Sequence, residues 1–429
     1  PGTNRMPNEG RSMRERVRES SLDNGLTILT VENPVSPTAS LQVWYKVGSR
    51  NERPGITGAS HIFEHMMFKG TAKYPAGAFD RVVQENGMGY NAFTSHDYTA
   101  YFETFARDRL EVAMDLESDR MQGLLLDPEE FASELSVIRE ERRETCEDPP
   151  YGILSEELEA AMFLVHPYHW PIIGWMSDLE RITREEIAAY YRVYYRPNNA
   201  VLVVAGDVKH DDVVRMAERS FGRIEPGPPV PEVVAKEPPQ RGERTVRVHK
   251  DVQLPGVIVA WRIPEAVHPD LPALQVAETV LFRGRSSRLY QRLIYEEPLA
   301  TDLGGGLHVR KDPSAFFVRA TARPGVEIEA VREAILETID TLRTHPPTER
   351  ELEKARNQIT GDFVFGQEHN LDLGRALGAE ECTSSWEDFF LFYDRSMAAT
   401  AEEVAAAAAA WLHDRGRVTG YLIPEKEST

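Results

Sequence analysis

The sequence predicts an α+β protein of two homologous domains, each an antiparallel-rich sheet packed against helices. Three observations carry that prediction. Strand-like and helix-like segments recur in the same order in the two halves of the chain. The stretch Ile224–Arg244 holds six prolines and two glycines among charged residues, a composition that forbids helix interiors and favours an extended linker. Finally, HIFEHMMFKG at His61–Gly70 aligns without gaps to QVAETVLFRG at Gln275–Gly284, a constant offset of 214 residues. The expected division is residues 1–225, a linker at 226–244, and residues 245–429. A chain of 429 residues exceeds one average domain and suits this division.

The elements follow in order. Asp23-Asn24-Gly25 is a turn signal, and the alternation after it suits a strand. SLQVWYKVGS is rich in β-formers. A helix is expected after Gly55–Ser60, carrying HIFEHMMFKGT, and a second at Phe79–Asn86. Asn91–Phe105, rich in Thr, Tyr and Phe, reads as one strand. Helices are expected at Arg107–Leu124, Asp127–Glu147 and Thr183–Tyr194, and a buried strand at Ala200–Val208. The second half offers strands at Thr245–His249 and Gly256–Arg262, then a helix at Leu271–Phe282. Further strands at Gly305–Arg310 and Ala315–Ala322 precede helices at Val326–Arg343 and Glu349–Phe363. Alanine-rich Val404–Leu412 is a helix too short to span a bilayer.

Charge and cysteine count narrow the function classes. The net charge of −20 disfavours a general nucleic-acid binder, because phosphate contacts need clustered Lys and Arg. It suits cationic or neutral partners. Two cysteines, Cys146 and Cys382, exclude a disulfide scaffold and a cysteine-based zinc ribbon. No apolar run is long enough to cross a membrane. The opening PGTNRMPNEGRSMRERVRESS is polar and lacks the apolar core of a signal peptide. The compartment stays open, with bacterial cytoplasm and periplasm both compatible.

The chemistry centres on His61-Ile62-Phe63-Glu64-His65. On a helix, positions i and i+4 share one face, so the two imidazoles can bind one Zn²⁺. Glu64, three residues after His61, sits on that side without having to be a ligand. A catalytic zinc needs a third protein ligand and an open position. The acidic stretch SELSVIREERRETCEDPPYG offers Glu134, Glu140, Glu141, Glu144 and Glu147. Val137 and Ile138 are read as its buried side, and Glu134, Ile138 and Glu141 share a helix face.

H-x-x-E-H is the inverted zinc-peptidase pattern. The chain resembles the pitrilysin family, which includes insulin-degrading enzyme and the β subunit of mitochondrial processing peptidase. The likeness runs from about Ser21 onward through LDNGLTIL, GSRNERPGITGASH, FKGT, NAFTSHDYTAY, EDPPYG, HPYHWPIIG, YYRPNNAVLVVAGD and GRSSRLYQRL. The family places a ligand glutamate about 76 residues after the second histidine, where Glu141 stands, and another glutamate seven residues before it, where Glu134 stands.

The resemblance implies a processing-peptidase-like roll and a zinc-dependent endopeptidase that hydrolyses unfolded peptides inside a dimeric chamber. It assigns one zinc per chain to His61, His65 and Glu141. It makes Glu64 the general base that activates the zinc-bound water, and Glu134 an orienting residue behind the ligands. NAFTSHDYTAY resembles the edge strand on which relatives bind peptide by strand addition, so Asn91, Ala92 and Phe93 are the expected substrate contacts. His96, His166 and His169 are expected to be structural.

One departure matters. Many relatives carry an Arg and a Tyr, six residues between them, that hold substrate; here Ile294 and Thr301 occupy those positions. The expected partner is therefore a homologous subunit lacking H-x-x-E-H but carrying the Arg/Tyr pair, in a hetero-dimer; homodimers of two-domain chains also occur in the family. The competing functions are a non-catalytic scaffold subunit and a presequence-processing peptidase.

Overall fold

The computed structural model describes residues 13–425; the start of the polar opening stretch, residues 1–12, lies outside them. Eleven strands among the described residues form two sheets. The first sheet contains β1 (Val17–Ser21), β2 (Thr27–Glu32), β3 (Thr38–Tyr45), β4 (Gly89–Thr94), β5 (Thr99–Ala106) and β6 (Ala200–Gly206), in the order β1-β2-β6-β3-β5-β4. The second contains β7 (Arg244–Lys250), β8 (Gly256–Ile263), β9 (Ala300–Leu307), β10 (Ser314–Ala322) and β11 (Arg417–Pro424), in the order β7-β11-β8-β10-β9.

The two sheets repeat one wiring. β2 runs parallel to β6, and β7 runs parallel to β11, whereas the pairs from β3 to β4 and from β8 to β9 are antiparallel. Leu271–Phe282 is a helix, as is Ala59–Met66 at the aligned segment. Each half thus recreates the same sheet, with β1 as an addition to the first. β6 is buried along its whole length, as its unbroken run of Ala, Val and Leu requires for a strand covered on both faces.

The structure divides into two compact units that differ from contiguous halves. The first comprises Pro1–Glu140, Pro171–Val234 and Phe363–Phe390; the second comprises Glu141–Trp170, Ala235–Asp362 and Leu391–Thr429. The helix Asn370–Thr383, late in the chain, therefore belongs with the first sheet. It sets Leu373 and Leu377 against Trp44, Val201 and Val203. The helix Gly152–Met162, early in the chain, belongs with the second sheet, where Leu154, Leu158 and Met162 pack on Val248, Ile258 and Val418.

Local readings change in four places. Asn91–Phe105 is a hairpin: the Ser95 amide donates to the Tyr98 carbonyl, and Ser95 Oγ accepts from the Asp97 and Tyr98 amides, folding the chain back. The expected strand at Gly305–Arg310 lies earlier, at Ala300–Leu307. The histidine helix ends at Met66, short of the FKGT tail. Val137 is 49% exposed, and Ile138 alone of that pair is buried.

Candidate metal centre

The helix Ala59–Met66 begins at Gly58, whose φ of 89° is left-handed. A Cβ at Gly58 would stand 2.5 Å from the Ile173 carbonyl oxygen, so this start requires glycine. Glu52 satisfies the helix's first amides: Oε2 accepts from the Gly58 amide at 2.7 Å, and Oε1 from the Ser60 amide at 2.8 Å. Burial raises the Glu52 carboxyl to about 8 despite these bonds. Asp178 fastens the preceding loop by accepting from the Gly55 and Thr57 amides and the Thr57 hydroxyl. Ser60 Oγ and the Tyr190 hydroxyl lie 2.8 Å apart.

Ile62, Phe63 and Met66 are fully buried, with Phe63 packed on Tyr190, Tyr191 and Tyr195. The Tyr101 hydroxyl donates to the Phe63 carbonyl at 2.8 Å, tying the helix to β5. His61, Glu64 and His65 occupy the remaining face. His61 is buried, and Glu64 and His65 are half-buried.

The helix Pro128–Arg142 starts with Asp127 accepting from the Glu129 and Glu130 amides. Phe131, Leu135 and Ile138 anchor it. Its last turn brings Glu141 to the histidines: one ligand atom each from His61, His65 and Glu141 lie within 4.8 Å of one another. Among the described residues no second such group occurs. Two turns earlier on the same face, Glu134 is buried, and its Oε2 is 3.1 Å from His65 Nδ1. In the neutral ring that bond places the proton on Nδ1 and the lone pair on Nε2. Lys69 Nζ meets Glu134 Oε1 at 2.7 Å.

Two imidazoles and a carboxylate are the donor set of a three-residue catalytic zinc site, so the residues fit that metal. The second unit differs at the aligned positions. There Gln275 Nε2 donates to Glu278 Oε2 at 2.6 Å, and burial raises Glu278 to about 7. An amide and Thr279 replace the imidazoles, and no donor set remains.

β4 pairs with β5 alone and is an open edge. Asn91 is exposed, and its Oδ1 accepts from the Ala92 amide at 2.8 Å. Ala92 is buried opposite Tyr101, on the side of the histidine helix. Phe93, one residue on, points to the other face, against Trp44, Tyr98 and Phe102. His96 is buried with Nδ1 2.8 Å from Ser49 Oγ, and His166 Nε2 is 3.1 Å from Asp312. In the second unit Ile294 packs against the core, and Thr301 is exposed with its hydroxyl donating to the Thr321 carbonyl.

Sequence reasoning missed Lys69 and Glu52. Lys69 stands four residues after His65, a spacing that could have drawn attention; nothing local marks Glu52.

Comparison with known proteins identifies the family. The family model described as "Insulinase (Peptidase family M16)" matches residues 27–174, which contain all four of His61, Glu64, His65 and Glu141. The model described as "Peptidase M16 inactive domain" matches residues 181–359, which contain Gln275 and Thr279 instead. The zinc protease PqqE of Helicobacter pylori is 34% identical over 358 residues, 82% of this chain and 80% of that protein. A probable mitochondrial-processing peptidase subunit beta of Arabidopsis thaliana is 26% identical over 86% of this chain and 70% of its own. The crystal structure of a protease from Helicobacter pylori superposes with a TM-score of 0.92 at 30% identity, covering 96% of this chain and 99% of that one. The chain belongs to peptidase family M16, the insulinase or pitrilysin family of two-domain zinc-protease folds.

Proposed function

We propose that this chain is the metal-bearing subunit of a zinc endopeptidase that cleaves unfolded peptides. The observation that carries the proposal is the convergence of His61, His65 and Glu141 within 4.8 Å, with Glu64 on the same helix turn. His61, His65 and Glu141 would hold the zinc, and Glu134 would keep His65 in the coordinating tautomer. When bound, zinc supplies a positive charge that polarises a peptide carbonyl and acidifies water. Glu64, as a carboxylate, would take a proton from the attacking water and pass it to the departing amine.

The open edge of β4 supports substrate binding by strand addition, with main-chain bonds that tolerate many sequences. Asn91 and Ala92 lie on that edge strand and would contact the added substrate strand. The position of Phe93 on the opposite face favours a packing role for it. A strand-adding substrate must be unfolded. The aliphatic Ile294 and short Thr301 cannot supply a guanidinium and a phenol, which favours a hetero-dimer whose second, homologous chain contributes them.

The test is to purify the chain alone and measure bound zinc and cleavage of an unstructured quenched peptide, with Glu64→Gln as control. Stoichiometric zinc with little cleavage, rising on addition of the partner chain and absent with Glu64→Gln, is expected. Strong Glu64-dependent cleavage by the chain alone would replace the hetero-dimer with a homodimer. No zinc after reconstitution would move the reading to a scaffold subunit. The likeness to a processing-peptidase β subunit favours one alternative, presequence removal. Cleavage confined to a single site in basic leader peptides would select it.

A further inference from the structure

Six residues after Glu141 comes Glu147-Asp148-Pro149-Pro150-Tyr151-Gly152, a stretch to which the proposed chemistry gives no role. The helix that carries Glu141 widens just before it into one π-helical turn, Arg143–Glu147. The Asp148 amide closes that turn by donating to the Arg143 carbonyl at 2.7 Å. Pro149 and Pro150 then stop the helix, because neither has an amide to donate. The carbonyls of Glu147, Asp148 and Pro149 converge on one ammonium. Lys250 Nζ donates to the Glu147 carbonyl, and to those of Asp148 and Pro149 at 2.9 and 2.8 Å. Lys250 is the last residue of β7, and its own carbonyl accepts from the Val252 and Glu425 amides at 2.9 Å each. The base of its side chain is therefore fixed by the second sheet. The Tyr151 hydroxyl donates to the Ala320 carbonyl of β10 at 3.1 Å, fastening the chain beyond the turn. All these residues, with Glu141, belong to the second compact unit.

We infer that Lys250 is a positioning residue for Glu141: its ammonium holds the carbonyl end of the Glu141 helix, and with it the place where the Glu141 carboxylate stands. The inference rests on the reading of Glu141 as a metal ligand. The C-terminal end of a helix carries partial negative charge and carbonyls without intrahelical partners. A compact ammonium with three donors on a long stem suits three converging carbonyls. The path from turn to ligand is short. Thr145 Oγ1 donates to the Glu141 carbonyl at 2.7 Å. Arg142, next to Glu141, is buried with its guanidinium on the two Glu156 oxygens at 2.8 and 2.9 Å. A neutral side chain at position 250 would leave three carbonyls to water and the π turn without its clamp. Glu141 would then sample more positions, and a ligand that must be held still binds metal less tightly. The stretch matched by the inactive-domain model contains Lys250, so it contributes to metal binding without supplying a ligand.

Two measurements on the full chain test this, with Lys250→Met as the neutral variant and Lys250→Arg as the one that keeps the charge. Lys250 is half-buried at the end of an edge strand, where methionine is expected to fold. The first measurement is zinc affinity by competition with a chromophoric chelator. Lys250→Met should bind about tenfold more weakly, the low end for groups that orient a ligand, and Lys250→Arg should recover part of the loss. Val331→Ala, a cavity in the core of the same unit, controls for destabilisation alone and should leave the affinity unchanged. The second measurement is amide hydrogen exchange of the metal-free chain. Residues 141–148 should exchange about tenfold faster in Lys250→Met, the cost of losing charge-assisted hydrogen bonds, and at the native rate in Val331→Ala. This readout needs no zinc. Faster exchange at 141–148 in a chain that binds no zinc would therefore support the anchoring role while sinking the peptidase reading. Unchanged zinc affinity in Lys250→Met, an equal loss in Val331→Ala, or unchanged exchange at 141–148 overturns the assignment.

Discussion

A single carboxylate, Glu134, connects the two helices of the candidate centre. It accepts from His65 Nδ1 with one oxygen and from Lys69 with the other, while buried to 7% exposure. Glu134→Gln keeps the shape but removes the charge that holds both partners. The expected outcome is a zinc affinity about 10- to 100-fold weaker, the usual cost of removing a group that orients a ligand. Competition with a chromophoric chelator measures it, and an unchanged affinity would make Glu134 a packing residue. Nearby, Arg120 is fully enclosed with Glu117 and Glu103, its guanidinium over Tyr101 and Phe68. Arg120→Met would leave two buried carboxylates without a cation and should destabilise the protein by about 3–5 kcal/mol in chemical denaturation. At this scale the sequence was most legible for His61, Glu64 and His65, because helix geometry ties short spacings to one face. Glu141 and Glu134 were legible through family spacing. Lys69 and Glu52 were not, since their partners come from a distant helix and from a turn of the helix they precede.

At the level of elements, the histidine helix is eight residues long and too short to persist on its own propensity. Its start depends on Glu52. Glutamine at this position offers one acceptor where two amides need one each, so Glu52→Gln should cost about 1–3 kcal/mol. The pH dependence distinguishes this carboxyl from ordinary ones. Its folded value of about 8 lies above the ordinary 4.5, so between those values the unfolded chain ionises first. The stability it contributes is full below about pH 4.5 and is lost as pH rises toward 8. Thermal melts across that window should therefore fall more steeply for the native protein than for Glu52→Gln. Parallel curves would mean that Glu52 is ionised at its amide pair throughout. Most elements were legible because apolar periodicity reports burial directly. The hairpin between β4 and β5 was not, because β-formers flank Ser95–Tyr98 on both sides and the turn itself carries no Gly or Pro. That turn is what leaves β4 as an open edge.

Across the whole molecule, the order of residues in the chain and their grouping in space diverge. No element was expected at Asn370–Thr383, and the leucines of this helix do not say which sheet they pack on. The structure groups it with strands more than 160 residues earlier. The fit is tight. A Cβ on Gly374 would stand 2.2 Å from Gln42 Nε2, and one on Gly378 would stand 2.3 Å from Trp44 Nε1. Gln42 Nε2 donates to the Leu371 carbonyl at 2.9 Å, and Ser40 Oγ to the Asn370 carbonyl at 3.2 Å. A chain ending at residue 244 would contain every strand of the first sheet and every candidate metal ligand, yet lack this helix. Trp44, Val201 and Val203 would lose their cover, and buried Gln42 and Ser40 would lose their bonds. Each large buried apolar group removed costs about 2–5 kcal/mol, against a total stability of about 5–15 kcal/mol for a domain. The expected outcome is that residues 1–244 show no cooperative thermal transition, bind a hydrophobic dye and fail to hold zinc stoichiometrically. Supplying residues 360–395 as a separate peptide should restore a transition, because the missing layer is one helix. A cooperative melt of 1–244 without the peptide, near the full chain's midpoint, would show that the first sheet is stable with that face bare.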